Sequence, residues 1–213
     1  MNEVRQWHND MLGRRAVDAL NKNNFTAVYF PGRESAVAHI LGLTPDGSAV
    51  GIGGSMTERA LDLSRKLADK GCTILDHGIG GLSAEERTVI RRKQLLSDVF
   101  LCSSNAVTLE GELINCDGNG NRVAAMIFGP KRVIVVAGTN KIVRNRQEGE
   151  QRIKLVAAPM NNKRLGFDNP CVQRGECADC RRDTRICNAT VILSRRLGLT
   201  DLHVVIIGEE LGF

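Results

Sequence analysis

The beginning of the chain has the hydrophobic periodicity of a helix, followed by that of a strand. Residues 2–21 carry apolar side chains at helical spacing: Val4, Trp7, Met11, Leu12, Ala16, Ala19 and Leu20. This spacing predicts an amphipathic helix. The run FTAVYF, closed by Pro31 and Gly32, predicts a short strand, and ESAVAHILGL predicts a second helix that ends near Gly42.

The next fifty residues alternate between extended and helical patterns. SAVGIGGSM predicts a buried strand that opens into a glycine-rich turn, and TERALDLSRKLADKG predicts a helix with Thr57 as its N-cap and Gly71 at its end. CTILDH predicts the next strand, and SAEERTVIRRKQLLS predicts a helix in which Ser83 and Glu86 form a capping box. Such alternation favours a parallel sheet with right-handed crossovers.

The second half of the chain contains four apolar runs separated by turns: DVFLCSSNAVT, GELINCD, NRVAAMIFG and KRVIVVAGT. The sequence DGNGN between the second and third runs favours a β-hairpin. EGEQRIKLVAAPMNNKRLG predicts a helix followed by an irregular stretch that begins at Pro159. After a cysteine-rich segment, ATVILSRRLG predicts a short helix and LHVVIIGEELGF a final buried strand. The pattern predicts an α/β fold with a hairpin-rich second half and a cysteine-rich insertion before the last strand.

The composition is that of an ordinary globular protein, because 42% of the 213 residues are hydrophobic and 25% are charged. We expect a single domain over residues 1–213, with a cysteine-rich segment at residues 168–188. No apolar run approaches the roughly 18 residues that a membrane span needs, and the first residues lack the apolar core of a signal peptide. These features predict a cytoplasmic protein without a membrane span.

The basic residues do not form the pattern of a nucleic-acid-binding surface. The net charge of +5 is mild, and the densest basic run is Arg91, Arg92 and Lys93. This run has no interleaved aromatic residues on which bases could stack. It is typical of a solvated helix face, so we do not expect a nucleic-acid partner.

The glycine-rich turn GIGGSMTERA is a candidate site for an anion, because it leaves a strand and enters a helix. Gly53 and Gly54 would let a phosphate or carboxylate approach the backbone, and the hydroxyls of Ser55 and Thr57 would donate hydrogen bonds. The turn matches neither a Walker A loop nor G-x-G-x-x-G, so neither ATP nor a dinucleotide is specifically indicated. A tight strand-to-helix turn without a ligand is the structural alternative.

Polar residues follow two further apolar strands, where open α/β sheets bind their ligands. Asn105 and Thr108 follow the first of these strands, and Asn140 and Lys141 follow the second. Lys141 either pairs with a substrate carboxylate or faces solvent. His77, at the end of CTILDH, either acts as an acid or base near neutral pH or has a structural role.

Four of the seven cysteines are close together in the sequence: Cys171, Cys177, Cys180 and Cys187. Four thiolates suit either a [4Fe–4S] cluster or a tetrahedral zinc ion. Nearby arginines would offset the negative charge of such a centre: Arg174, Arg181, Arg182 and Arg185. The spacing fits neither a zinc ribbon nor the bacterial ferredoxin run, so an iron–sulfur cluster, a structural zinc ion and a metal-free segment all remain open.

These motifs together resemble the LUD (lactate utilisation) domain family. The resemblance rests on GIGGSMT, NAVTLEGELINCDGNGNR, FGPKRVIVVAGTNKIV, the four-cysteine segment and VVIIGEELGF. It implies a Rossmann-like three-layer fold similar to that of sugar-phosphate isomerases and CoA transferases. In that superfamily the glycine turn commonly holds phosphate or CoA, and some members use a glutamate nucleophile, for which Glu110 or Glu112 would stand here.

The resemblance implies a part in the oxidation of lactate or a related small hydroxy acid. A [4Fe–4S] centre on the four cysteines would serve this role together with iron–sulfur or flavin redox partner proteins. One alternative is a non-redox isomerase or acyl/CoA-transferase-like enzyme with structural zinc. Another is a non-catalytic assembly or regulatory subunit.

Overall fold

The structure is a computed structural model that describes residues 3–213. Its strands, in chain order, are β1 (Thr26–Phe30), β2 (Ala49–Ile52), β3 (Thr73–Asp76), β4 (Val99–Cys102), β5 (Ala106–Thr108), β6 (Leu113–Asp117), β7 (Arg132–Gly138), β8 (Ile142–Val143), β9 (Ala189–Leu193) and β10 (Asp201–Ile207). Its α-helices are α1 (Glu3–Lys22), α2 (Arg33–Leu43), α3 (Met56–Ala60), α4 (Leu63–Asp69), α5 (Ala84–Gln94), α6 (Asn121–Ile127), α7 (Arg146–Arg152), α8 (Ala158–Leu165) and α9 (Pro170–Arg174). A 3₁₀ turn covers Thr139–Lys141 and a π-helical turn covers Ile153–Ala157.

Six strands form a central sheet in the order β1-β10-β7-β4-β2-β3, and every neighbouring pair is parallel. The side chains of β10 alternate between the two faces of this sheet, and both faces are buried. Val204 and Ile206 pack into one hydrophobic cluster, and Val205 and Ile207 pack into the other. Side chains of α1 and α6 belong to the first cluster, and those of α2 and α4 to the second. The predicted three-layer α/β architecture is therefore confirmed.

A second, smaller sheet has the order β8-β5-β6-β9. The chain leaves the central sheet at Ser103 and Ser104, so the predicted run DVFLCSSNAVT is divided between the two sheets. The strands β5 and β6 form an antiparallel hairpin, and β9 pairs antiparallel with the other edge of β6. The prediction of a helix for ATVILSRRLG is wrong, because its β-branched residues complete this sheet.

The first helix exists as predicted, although its buried face differs from the predicted one, and residue 2 lies outside the described residues. Its buried positions are Asn9, Gly13, Ala16 and Leu20. Trp7 and Met11, which were expected to face the core, are 62% and 47% exposed. No helix within residues 3–213 has the length and apolar character needed to cross a bilayer.

The helix after the glycine turn begins two residues earlier than predicted. Ser55 is the N-cap, since its hydroxyl accepts a hydrogen bond from the Thr57 N–H at 3.1 Å. The predicted single helix is divided into α3 and α4, because Asp62 adopts a left-handed conformation with φ 53°. Ser83 and Glu86 form the predicted capping box at the start of α5.

The prediction of a hairpin at DGNGN is wrong, because this turn leads from β6 into helix α6. Gly120 has φ 76°, a conformation that glycine adopts without strain. The Asp117 carboxylate then accepts the Val123 N–H at 3.0 Å, which satisfies a free donor in the first turn of the helix. The first side chain of the DGNGN sequence therefore favours the helix that follows over a hairpin.

The prediction of an irregular stretch from Pro159 is also wrong. The chain stays helical from α7 through the π-helical turn into α8. Pro159 lies in the first turn of α8 and has no N–H to donate, and the Lys154 carbonyl of the preceding π turn accepts the Cys177 N–H at 2.8 Å instead. The wider π turn accommodates the proline within a continuous helical segment.

Candidate functional site

A cavity of about 400 Å³ lies at the carboxyl ends of the central strands. It is bordered by the glycine turn after β2, His77 after β3, Ser103 after β4 and Lys141 after β7. From β2 the chain continues to the neighbouring strand β3 at one edge of the sheet, whereas from β4 it continues to β7, in the direction of the other edge. The cavity therefore occupies a topological switch point, where open α/β sheets bind ligands.

The wall of this cavity is strongly basic. Its cationic residues are Arg59, Arg87, Arg91, Arg122, Arg164 and Lys141. Among the described residues of the wall, Asp117 is the one acidic side chain, and it is paired with Arg122 at 2.6 Å. Within residues 3–213, the other four arginines form no salt bridge. We refer to this cavity as the basic pocket.

The arginines of the basic pocket destabilise one another's charge. Burial, followed by repulsion from Arg87, lowers the pKa of Arg91, and the buried Nε of Arg91 has no hydrogen-bond partner within residues 3–213. Burial, followed by repulsion from Arg59, likewise lowers the pKa of Arg164. A bound anion would relieve both effects.

Lys141 lies at the base of the pocket and is only 3% exposed. The 3₁₀ turn after β7 places its Nζ 2.8 Å from the Ser103 hydroxyl and 2.9 Å from the Thr57 hydroxyl. Burial, followed by repulsion from Arg152 and Arg122, lowers the pKa of Lys141 to about 7. A substantial fraction of Lys141 is therefore uncharged near neutral pH.

Arg122 connects the two sheets beside the pocket. Its guanidinium donates to the Asp117 carboxylate at 2.6 Å, to Asn105 Oδ1 at 3.0 Å and to the Ser103 carbonyl at 2.7 Å. It also donates to Asn115 Oδ1. Since Ser103 directly follows the central strand β4 and Asn115 lies in β6 of the small sheet, the Arg122 side chain fixes the position of the two sheets relative to each other.

The glycine turn forms one wall, although not all of its donors are available. The Gly53 N–H donates to the Leu101 carbonyl at 2.8 Å, so it is already used within the protein. Gly54 has φ 74° and lies against the His77 ring. Burial, followed by repulsion from Arg91, lowers the pKa of His77, so this ring is neutral at neutral pH.

Five of the eight predicted ligand-binding residues line the basic pocket: Gly53, Gly54, Ser55, Asn105 and Lys141. Thr57 is fully buried beneath it and contacts Lys141. Thr108 is turned toward the β5–β6 hairpin, where its hydroxyl accepts the Glu112 N–H at 3.0 Å. Asn140 binds the C-terminal segment, accepting the Leu211 N–H and donating to the Gly212 carbonyl. Thr108 and Asn140 do not line the pocket.

Sequence patterns did not indicate the pocket arginines or Ser103 as site residues. Arg91 had been assigned to a solvated helix face, yet it lines the pocket together with Arg87, one helical turn earlier on α5. This i, i+4 spacing was the available signal. Glu110 and Glu112 do not line the pocket, and Glu112 instead forms an ion pair with Arg146.

The four clustered cysteines are all free thiols. Cys171 is buried in α9, and the other three lie in the irregular segment that follows. Burial and the neighbouring thiols raise the pKa of Cys171 and of Cys187. The Asp179 N–H lies 3.4 Å from Cys177 Sγ, and Arg185 donates to the carbonyls of Cys180 and Cys187.

The donor chemistry of this segment fits a soft metal centre, since four thiols interact electrostatically with one another. In the described part of the chain, however, no three cysteine, histidine or acidic side chains are close enough to hold a metal ion. Metal binding would therefore require residues 177–187 to draw their thiols together around the ion.

A second cavity, of about 470 Å³, lies beside the cysteine segment. Its wall includes Cys177, Cys187 and Cys116 of β6. Cys116 also lines the basic pocket. Ile186 of the cysteine segment also lines the basic pocket, so the segment borders both cavities.

The model of the LUD domain family matches residues 13–207. No curated protein matches this chain in sequence. A crystal structure of a DUF162 family protein from Deinococcus radiodurans is similar in structure, with a TM-score of 0.55 and 14% sequence identity, and the match covers 93% of this chain and 98% of that chain. At this identity the structural similarity supports the fold alone.

Proposed function

Because the chain belongs to the LUD domain family, we propose that it binds a small anionic ligand in the basic pocket and takes part in the oxidation of lactate or a related hydroxy acid. The observation that carries the anion proposal is the group of pocket arginines without acidic partners. A carboxylate or phosphate would supply the missing negative charge and accept charge-assisted hydrogen bonds. The cavity volume of about 400 Å³ suits a small metabolite.

The ligand would be held by residues from several helices and strand ends. The guanidinium groups of Arg59 and Arg91 form no hydrogen bonds within residues 3–213, so they are available to an anion. The Ser55 hydroxyl accepts the Thr57 N–H and keeps its own proton to donate. Asn105 and Lys141 also line the pocket and would contact the ligand.

We extend the proposal to the cysteine segment, which would hold a [4Fe–4S] centre through Cys171, Cys177, Cys180 and Cys187. When bound, such a centre supplies one-electron transfer. The position of Cys116 in the walls of both cavities supports electronic coupling between this segment and the pocket. Iron–sulfur or flavin partner proteins would accept the electrons. A structural zinc ion on the same thiols is the alternative.

Loss of two pocket arginines is expected to weaken anion binding at least about 10-fold, since each charge-assisted hydrogen bond contributes about 1.5–3 kcal/mol. The change is Arg59→Met with Arg91→Met, and the probes are L-lactate, pyruvate and inorganic phosphate in isothermal titration calorimetry. Arg65→Met is the matched control, because Arg65 is exposed and pairs with Asp62 on α4. Equal affinity in the double variant and the wild type, or no binding of any probe to the wild type, would contradict the anion site.

Protein purified without oxygen is expected to contain iron and acid-labile sulfide in equal amounts, with a visible spectrum that dithionite bleaches. Cys177→Ala with Cys180→Ala should abolish both the metal content and the spectrum. Cys72→Ala is the control, since Cys72 lies in the hydrophobic core away from the segment. Zinc without sulfide would replace the redox proposal with the structural alternative. Wild-type metal content in the double variant would contradict both the iron–sulfur centre and the zinc site on these cysteines.

A further inference from the structure

The base of the basic pocket contains a serine and a lysine in direct contact. Ser103 Oγ and Lys141 Nζ are 2.8 Å apart, and both residues line the cavity while being almost fully buried. Lys141 forms no salt bridge within residues 3–213, so no carboxylate holds its proton. A buried amine of this kind serves as a base more readily than as a fixed charge.

Thr57 orients the lysine toward the serine. The Thr57 hydroxyl lies 3.1 Å from the Leu211 carbonyl, to which it donates, and so it presents a lone pair to Lys141 at 2.9 Å. When Lys141 is neutral, it donates one N–H to Thr57 and directs its own lone pair toward the Ser103 hydroxyl. The alternative acceptors of the Ser103 proton are poorer, since the Ser104 carbonyl is 3.4 Å away.

The surroundings favour the neutral form of Lys141. Its pKa is about 7, chiefly because the side chain is buried and secondly because Arg152 and Arg122 are near. Arg122 also donates to the Ser103 carbonyl at 2.7 Å, which places positive charge next to the serine. A nucleophile in contact with a base, with the base held by a third group, is the arrangement of covalent acyl-transfer enzymes.

We propose that Ser103 is a nucleophile and Lys141 its general base, and that the pair cleaves small anionic esters or thioesters. The proposal rests on the anion pocket of the proposed function and is independent of its redox chemistry. The arginines of the wall would hold the negative group of the substrate, while its acyl carbon would lie next to Ser103.

The reaction needs no oxidant or reductant. Lys141 Nζ takes the proton of the Ser103 hydroxyl as Ser103 Oγ forms a bond to the acyl carbon. The carbon–sulfur or carbon–oxygen bond to the leaving group breaks, and the leaving group departs with the proton from Lys141 as a thiol or an alcohol. Water then attacks the acyl-serine with Lys141 again as the base, and the products are a carboxylic acid and free Ser103.

The test uses the full chain with mono-4-nitrophenyl succinate, an anionic activated ester, and measures release of nitrophenol and the acylated peptide by mass spectrometry. The wild type is expected to carry a succinyl group on Ser103. Ser103→Ala and Lys141→Met should each lower the rate at least about 100-fold. The wild-type rate should rise with pH through about 7, the pKa of Lys141, and then level off.

Four further variants separate the chemistry from folding and binding. Lys141→Arg keeps the positive charge and removes the base, so it should also be inactive at pH 8. Ser103→Cys should regain an acyl adduct, now as a thioester that hydroxylamine releases. Ser97→Ala and Lys131→Met are matched controls at the opposite ends of β4 and β7 and should keep wild-type rates.

The outcome identifies which part of the proposal fails. A succinyl group on Lys141, no adduct at all, or unchanged acylation in Ser103→Ala would overturn the serine–lysine pair. The neutral ester 4-nitrophenyl acetate tests the pocket separately. Loss of Arg59 and Arg91 should raise the KM for the succinyl ester and leave the KM for the neutral ester unchanged. Acylation of Ser103 with no preference for the anionic ester would retain the pair and reject the anion site.

Discussion

Replacing Arg122 with methionine is expected to lower the free energy of unfolding by about 3–5 kcal/mol, because the change removes one partner of a buried ion pair. The side chains of Arg122 and Asp117 are only 12% and 8% exposed. Without the guanidinium, the Asp117 carboxylate and the amide oxygens of Asn105 and Asn115 lose a buried donor. The measurement is urea denaturation followed by circular dichroism.

Arg182→Met is the control for Arg122→Met, since Arg182 is exposed in the cysteine segment and should change stability by no more than about 0.5 kcal/mol. A double variant, Arg122→Met with Asp117→Leu, removes both charges. It should recover part of the loss, because the unpaired carboxylate is the most costly consequence of the single change. A loss below about 1 kcal/mol in Arg122→Met would show that the network does not hold the two sheets together.

The free energy of unfolding of the wild type is expected to increase with pH relative to that of Lys141→Met. The pKa of Lys141 is about 7 in the folded protein, compared with an ordinary value of 10.5. Between these values the unfolded chain binds more protons than the folded chain, so stability increases as the pH rises. The difference between wild type and variant should change by roughly 4 kcal/mol between pH 7 and pH 10.5.

Comparison with Lys141→Met isolates this effect, because both proteins contain the same seven cysteines and the same other titrating groups. Urea denaturation at several pH values, with a reductant present throughout, gives the two stability curves. Below pH 7 the wild type carries the full cost of a buried charge, and the variant should be the more stable protein there. Parallel curves for the two proteins across this range would mean that Lys141 titrates normally, which would also weaken its assignment as a base.

Local sequence patterns determined much of the central sheet. The uninterrupted apolar run of β10 requires two buried faces, and the alternation of strands and helices before Gln94 requires parallel pairing. The capping box at Ser83 also depends only on residues three positions apart. Predictions of this kind succeed because hydrophobic periodicity and turn chemistry depend only on residues that are close in the sequence.

The errors arose where a specific side-chain or strand contact decided the local structure. DGNGN would suit a hairpin, but the Asp117 carboxylate caps α6 and Arg122 holds that carboxylate. ATVIL had a pattern that also fits a short helix, and the open edge of β6 made it a strand. Local propensity is weak compared with such tertiary contacts.

Patterns in the sequence indicated the family, the glycine turn and the position of Lys141 at the end of a buried strand. Only the tertiary structure brought Arg59, Arg91 and Arg164 from three helices to one cavity and placed Ser103 against Lys141. These arginines lie on helices that are far apart in the sequence, so no local pattern indicates that their side chains share one cavity. The burial that shifts the pKa of Lys141 exists only once the two sheets enclose it, so the chemistry of the site is a property of the folded chain.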